Sequence, residues 1–191
     1  MLISKFGTDN IIEDIKDFED KYKFKFPEQY KKFLIAYNGG ETPDSEFRIN
    51  KIHSDISGFF GLGKADENYN YSQFEKIGHF QGFLEDSVIP IGENTFGDYI
   101  LLGIGEENNG KVFYRYHDKP KKDIVLTGDF IAFTKKCKSE KIGNIMSIEE
   151  RKAMLIKNGK EKNITPDWIE AWQEEIDRYA NIQQEKLILE G

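Results

Sequence analysis

Apolar residues recur along this chain with two different periods. Near the start the period is helical. Ile11, Ile15, Phe18 and Tyr22 fall at spacings of four, three and four, which is one face of a helix. That spacing predicts a helix over about residues 9–23, capped by Thr8 or Asp9, with Glu13 and Asp14 early and Lys21 and Lys23 late. Tyr30, Phe33, Leu34 and Tyr37 predict a second helix. It starts at Pro27, whose missing N–H is harmless at the first helical position. Asn38-Gly39-Gly40 ends it, because a left-handed cap favours Asn or Gly.

Further on, short strands dominate. Residues 47–52 alternate apolar and polar, the period of a half-buried strand. Residues 56–62 are apolar with interleaved glycines and predict a bent or bulged strand. Residues 69–83 carry Tyr71, Phe74 and Ile77 at helical spacing, although Gly78 and Gly82 weaken a helix there. Strands are predicted over residues 88–91, 99–104 and 111–117. The turn formers Glu93, Asn94, Gly97 and Asp98 join the first two, and Asn108-Asn109-Gly110 joins the last two. Two hairpins in succession make an antiparallel meander. A strand at residues 124–126 follows a Lys-rich turn at residues 119–122. Thr127 then caps a helix over residues 128–138 that buries Phe130 and Phe133.

The tail reads as two helices. Ser147 and Glu150 form a capping box before Met154 and Leu155, and Asn158-Gly159 ends that helix. Thr165 caps the next, whose stripe includes Trp168, Ile169, Trp172, Ile176 and Tyr179.

Composition sharpens this division. All fifteen Phe lie between Phe6 and Phe133, and both Trp lie beyond them. The expected organisation is a Phe-rich α+β domain over residues 1–140 and a C-terminal helical extension over residues 141–191. A chain of 191 residues buries a full core without staples. The lone Cys137 can form neither an internal disulfide nor a Cys-based zinc site. No run of eighteen apolar residues exists, and residues 1–10 lack the apolar centre of a secretory signal. The expectation is a reduced, soluble, cytoplasmic protein with no membrane contact.

The net charge is −7, and Lys outnumbers Arg 23 to 4. An acidic, Arg-poor chain is a poor direct binder of nucleic acid and is better suited to a basic partner. The carboxylates Glu13, Asp14, Asp17, Glu19 and Asp20 read as a solvated helix face.

Candidate chemistry is sparse. His53-Ser54-Asp55 holds the residue types of a hydrolase triad, but adjacency is not the triad's geometry. His117-Asp118 supplies too few ligands for a metal and reads as a solvated turn. His79, beside Phe80, reads as a partly buried core residue. Cys137 has neighbouring lysines but no His base and reads as a passive thiol. The glycines at 58, 61 and 63 and at 103 and 105 match no phosphate-loop pattern. No catalytic residue, metal site or cofactor is expected, and the class is a non-enzymatic binding protein.

One ordered set of residues carries more information. Phe26-Pro27-Glu28-x-Tyr30-x-x-Phe33-Leu34 leads to Asn38-Gly39-Gly40. Much later come Ile89-Pro90-Ile91-Gly92, Gly97-Asp98-Tyr99-Ile100, Gly110-Lys111-Val112-Phe113-Tyr114 and Phe130-x-x-Phe133. In that order, over about residues 11–137, the chain resembles the SUKH superfamily, the Smi/Knr-like immunity proteins. It departs from that pattern at Tyr116-His117-Asp118, where the family's aromatic-Asp ending is shifted.

The resemblance implies an antiparallel, strongly bent sheet flanked by helices, with Pro27, Tyr30, Asn38, Gly39, Gly40, Pro90 and Gly97 as structural positions. It also implies binding rather than catalysis. Bacterial members are similar to antitoxins that block a cognate toxin domain, often a nuclease or deaminase. Some eukaryotic relatives instead act as cell-wall signalling regulators, which is the alternative role. The expected partner is a basic toxin domain, met by acidic and aromatic residues at the sheet turns: Glu93, Asp98 and Tyr116. The Trp-bearing helix is expected to pack on the main domain or to form a homodimer contact, since two exposed Trp are costly.

Overall fold

Helices α1 (Ile11–Tyr22) and α2 (Glu28–Tyr37) form where the apolar spacing places them. The structure is a computed structural model and describes residues 1–119, 122–180 and 182–190. Neither Thr8 nor Asp9 caps α1. Asn10 does so, in the left-handed conformation (φ 64°) and without a side-chain hydrogen bond. Pro27 stands one place earlier than expected, as the cap of α2, and its carbonyl accepts the N–H of Lys31 at 2.9 Å.

Glu19 differs from its sequence reading. It is 3% exposed rather than solvated. Its carboxylate accepts from Lys25 Nζ (2.9 Å), from the Phe26 N–H (3.0 Å) and from Lys31 Nζ (3.1 Å). These bonds tie α1 to the entry of α2. Burial pushes the Glu19 carboxyl up, and the bonds from Lys25, Phe26 and Lys31 outweigh it and hold the group below its ordinary value.

The strands are β1 (Leu2–Lys5), β2 (Gly40–Glu41), β3 (Ser45–Ile49), β4 (Ile52–Asp55), β5 (Gly58–Phe59), β6 (Val88–Glu93), β7 (Tyr99–Gly103), β8 (Val112–Arg115), β9 (Ile124–Thr127), β10 (Cys137–Ser139) and β11 (Glu185–Lys186). Eight make one antiparallel sheet in the order β11-β1-β2-β5-β6-β7-β8-β9, and β10-β3-β4 make a second. Residues 47–52 are therefore not one strand. Asn50, at φ 55°, and Lys51 reverse the chain between β3 and β4, and these two adjacent polar residues break the apolar alternation at the turn. Within residues 56–62 the strand is limited to Gly58–Phe59, and Gly61 adds an isolated parallel bridge to Asn70. The register of β6 slips between Pro90 and Gly92, a bulge that bends the sheet and frees the Pro90 carbonyl to accept the Tyr71 hydroxyl at 2.8 Å.

The helix expected over residues 69–83 is split. A short 3-10 turn (Glu67–Tyr69) precedes α3 (Ser72–Ile77), and Gly78, at φ 69°, opens a corner before α4 (Phe80–Glu85). Helix α5 (Phe130–Lys136) is capped by Asp129, whose side chain accepts from the Ala132 N–H at 2.7 Å, and not by Thr127. It stops before Cys137 and Lys138, which lie in β10. Burial pushes the Cys137 thiol up to about 12, which disfavours the thiolate. Pro120 and Lys121, in the middle of the Lys-rich turn, lie outside the described residues.

The core explains the Phe distribution. Phe33 meets Phe130 at a tilt with ring centroids 5.1 Å apart, and Phe59–Phe130 (5.6 Å) and Phe47–Phe133 (5.3 Å) meet edge to face, joining α2, α5 and both sheets. Tyr30 is fully buried, and its hydroxyl donates to the Phe60 carbonyl at 3.0 Å. Fourteen of the fifteen Phe are buried or half-buried, and Phe96 alone is exposed.

Contacts divide the chain into two units. One comprises Met1–Lys141 together with the segment from Gln184 onward, and the other is Ile142–Gln183. The second unit holds α6 (Ile148–Lys157), with the expected Ser147–Glu150 capping box, and α7 (Pro166–Ala180). Within it Arg151 makes a two-pronged ion pair to Glu175 (2.8 and 3.1 Å) and lies over the ring of the buried Trp172. Trp168 stays 55% exposed. No helix among the described residues is long and apolar enough to cross a membrane.

The tail beyond residue 183 forms β11, which pairs with β1, and buries Leu187. The Ile188 N–H donates to the Tyr37 hydroxyl at 3.0 Å. Gln184 Nε2 donates to the Glu140 carbonyl at 3.4 Å, so the two crossing points of the first unit lie side by side. The helical unit is thus an insertion in the sequence of the first unit rather than a terminal extension.

Replacing residues 142–183 by a short Gly-Ser linker should leave the first unit folded with an unchanged urea midpoint. Truncation after Lys141 removes β11, Leu187 and the Tyr37 bond, and should cost about 2–4 kcal/mol in the same melts. Equal losses from the two deletions would show that β11 contributes nothing.

Candidate functional site

The turn between β6 and β7 is held by one side chain. Asn94 Oδ1 accepts the N–H groups of Phe96 (2.9 Å) and Asp98 (2.8 Å), and the Asn94 N–H donates to the Asp98 carbonyl at 3.0 Å. Gly97, at φ 80°, supplies the left-handed step. Thr95 donates its N–H to Asp55 Oδ2 at 3.0 Å, which anchors the turn to β4. The result is a rigid loop that presents Phe96, 76% exposed, at its tip.

Asp98 sits behind this turn, 6% exposed. Its Oδ2 accepts the Tyr114 hydroxyl at 2.5 Å and Asn94 Nδ2 at 3.3 Å. Its Oδ1 accepts the His117 N–H at 2.9 Å, and the His117 ring Nδ1 lies 2.8 Å away. Burial pushes the Asp98 carboxyl up, but the bonds from Tyr114, His117 and Asn94 outweigh it and hold the group below its ordinary value. Burial, and then the bond to Asp98, drives the Tyr114 phenol well above its own.

On the other side of His117 a cleft of about 590 Å³ opens between the α3–α4 corner and strands β7 and β8. Phe83, Tyr99 and Tyr116 give it aromatic walls, and Glu85 and Asp86 lie along it. Arg115 also lines it but is only 6% exposed. It is bound to Asp123 (2.6 and 2.8 Å) and Asp86 (3.0 Å), which neutralise it.

The three sequence-selected contact residues have different fates. Tyr116 is half-buried on the cleft wall, edge-on to Tyr114 at 5.0 Å. Glu93 is half-buried at the end of β6, opposite Tyr99 in the ladder, and burial pushes its carboxyl up. Asp98 is committed internally and orients His117 instead of offering a surface. Phe96 was missed. The available signal was an aromatic residue inside an uninterrupted run of turn formers, where no core position exists.

Asn38 caps α2 at φ 53°, its N–H donating to the Leu34 carbonyl at 2.8 Å, and Gly39 and Gly40 both take positive φ. The His-Ser-Asp run forms no triad. His53 pairs with Glu46 at 3.1 Å and with Arg48, while Ser54 Oγ accepts from Asn94 at 3.0 Å. His79 is exposed rather than partly buried, because it sits at the open corner before α4. Among the described residues no group of three or more His, Cys, Asp or Glu side chains could hold a metal ion.

A carboxyl held below its ordinary value in the fold stabilises the fold above that value. The contribution is lost as pH falls through the folded value. Asp98 should therefore add full stability above its ordinary value of 3.8 and lose it below. Asp98→Asn should cost about 1–3 kcal/mol in urea melts at neutral pH, and the gap to the wild type should narrow in strong acid. A gap independent of pH would refute the network's role.

None of the curated proteins matches the chain. The sequence profile of the SMI1 / KNR4 family (SUKH-1) matches residues 12–136, from the first turn of α1 to the last residue of α5. The match takes in the Asn38-Gly39-Gly40 junction, the β6–β7 turn and every wall of the cleft. With well over half of its length matched, this chain belongs to the SMI1 / KNR4 family (SUKH-1).

Proposed function

We infer that this chain is an immunity protein. It binds a cognate bacterial toxin domain in the cytoplasm, a nuclease or deaminase, and neutralises it by direct contact, with no catalysis of its own. The observation that carries this reading is the face made by the β6–β7 turn and the cleft. The turn held by Asn94 carries an exposed Phe96 at its tip, next to Ser54, Asp55 and Tyr114, and its Gly97 reaches the cleft that Tyr116 and Tyr99 wall with Glu85 and Asp86. Aromatic anchors on a rigid frame are the usual high-energy contacts of an interface. The chain's net charge of −7 suits electrostatic steering toward a basic, nucleic-acid-handling domain. The Ile- and Lys-rich, Arg-poor composition fits an AT-rich bacterial genome.

The test is co-expression with the toxin domain encoded beside this gene. The wild-type chain should restore growth, and Phe96→Ala should weaken toxin binding by about 10–30-fold without lowering the melting point, because the ring is exposed. Absence of protection, or a gene with no toxin beside it, would sink this reading in favour of a signalling scaffold.

A further inference from the structure

Three glycines line the cleft: Gly78, Gly82 and Gly97. A Cβ built on any of them meets no atom within 4 Å. Gly78 and Gly97 have a backbone reason to be glycine, since both take positive φ. Gly82 has none. It lies inside α4, outside the left-handed region, where glycine is less favourable than alanine. Neither backbone geometry nor packing accounts for it, and what it provides is open space in the cleft.

The surroundings of that space favour one chemistry. Phe83, Tyr99 and Tyr116 present aromatic rings, whose faces attract cations. The chain's own cations already show this at two of them. The Arg115 guanidinium lies 5.5 Å from the Phe83 centroid, and Lys119 Nζ lies 4.7 Å over Tyr116. Arg115 is balanced by two carboxylates, so Glu85 remains as an exposed negative charge on the lining, with the buried Asp98 behind His117.

We propose that this cleft receives a basic side chain, the guanidinium or ammonium of an Arg or Lys on the partner protein. Gly82 leaves room for it, the aromatic walls take its stem, the Tyr99 ring, which Arg115 and Lys119 do not cover, takes its charge, and Glu85 draws it in. The inference rests on the binding role above and supplies that role with a specific anchor.

The test uses small probes and no toxin. N-acetyl-arginine amide and its neutral isostere N-acetyl-citrulline amide are titrated into the full chain and followed by amide NMR. The arginine probe should give saturable shifts at Gly97, Tyr99 and Tyr116, and the citrulline probe should bind at least about five-fold more weakly. Gly82→Leu should keep or raise the melting point and abolish the shifts. Glu85→Lys, a change at an exposed site, should weaken them. Equal binding of the two probes, shifts that map outside the cleft, or a well-folded Gly82→Leu that binds as the wild type does would each overturn the proposal. A null titration removes the cleft anchor alone, whereas failure of protection in cells removes the immunity role.

Discussion

Where α2 ends, the backbone of residues 59–61 passes so close that side chains are excluded. A Cβ on Gly39 would stand 2.6 Å from the Phe59 carbonyl oxygen, and one on Gly61 would stand 2.0 Å from that of Asn38. A Cβ on Gly40 would meet the Ser4 carbonyl at 2.6 Å. Asn38 closes the helix here and bonds outward in three directions, to the carbonyls of Gly7 (2.7 Å) and Leu62 (2.8 Å) and to the Leu62 N–H (2.8 Å). The close main-chain approach and the Asn38 side-chain bonds thus join the helix layer to the sheet here, beside the aromatic packing of Phe33 on Phe59 and Phe130. The two-residue strand β2 can sit between β1 and β5 only because of this approach. From there β5 pairs with β6, and the sheet continues through β7, β8 and β9.

At the opposite end of the sheet a polar network does comparable work. Asn94, Asp98, Tyr114 and His117 form a closed set of hydrogen bonds around one buried carboxylate. A buried charge is tolerated when its acceptor sites are filled. Here the filling groups also shape the surface. Asn94 stiffens the turn that exposes Phe96, and Asp98 holds His117 at the edge of the cleft. The same logic places Arg115, whose charge is cancelled by Asp86 and Asp123, so the cleft keeps its aromatic and acidic character. The face proposed for binding is thus held in place by internal hydrogen bonds and ion pairs, an order that would lower the cost of docking a partner.

The local features of the fold were readable because they obey short-range rules. The spacing of Ile11, Ile15 and Phe18, the Asn38-Gly39-Gly40 stop, the Ser147–Glu150 box and the turn formers at 93–98 each depend on residues within one or two turns of each other. Misreadings arose where the partner is distant or where one signal covers two states. The run over residues 47–52 holds a reversal at Asn50-Lys51, where two adjacent polar residues break the alternation, and Phe47, Ile49 and Ile52 from both strands face the same core. Glu19 looked solvated among its acidic neighbours, yet its partners come from the entry of α2. In the face proposed for binding, Tyr116 could be placed from its strand, while Asp98 could not be told from a surface acid.

The sequence by itself determined the α+β class, the family, the Asn38 stop of α2, the Ser147–Glu150 start of α6 and the hairpin order, because periodicity, capping and turn chemistry are local and strongly residue-specific. Only the tertiary structure decided that the chain returns after residue 183 to add β11 to the sheet, since two short segments such as Leu2–Lys5 and Glu185–Lys186 carry no pattern that announces their pairing. It also decided which acids are buried, which Phe is exposed, and that Gly82 faces open space. Each of these depends on what lies across a gap rather than along the chain, and a side chain's burial is set by neighbours that the sequence holds far apart.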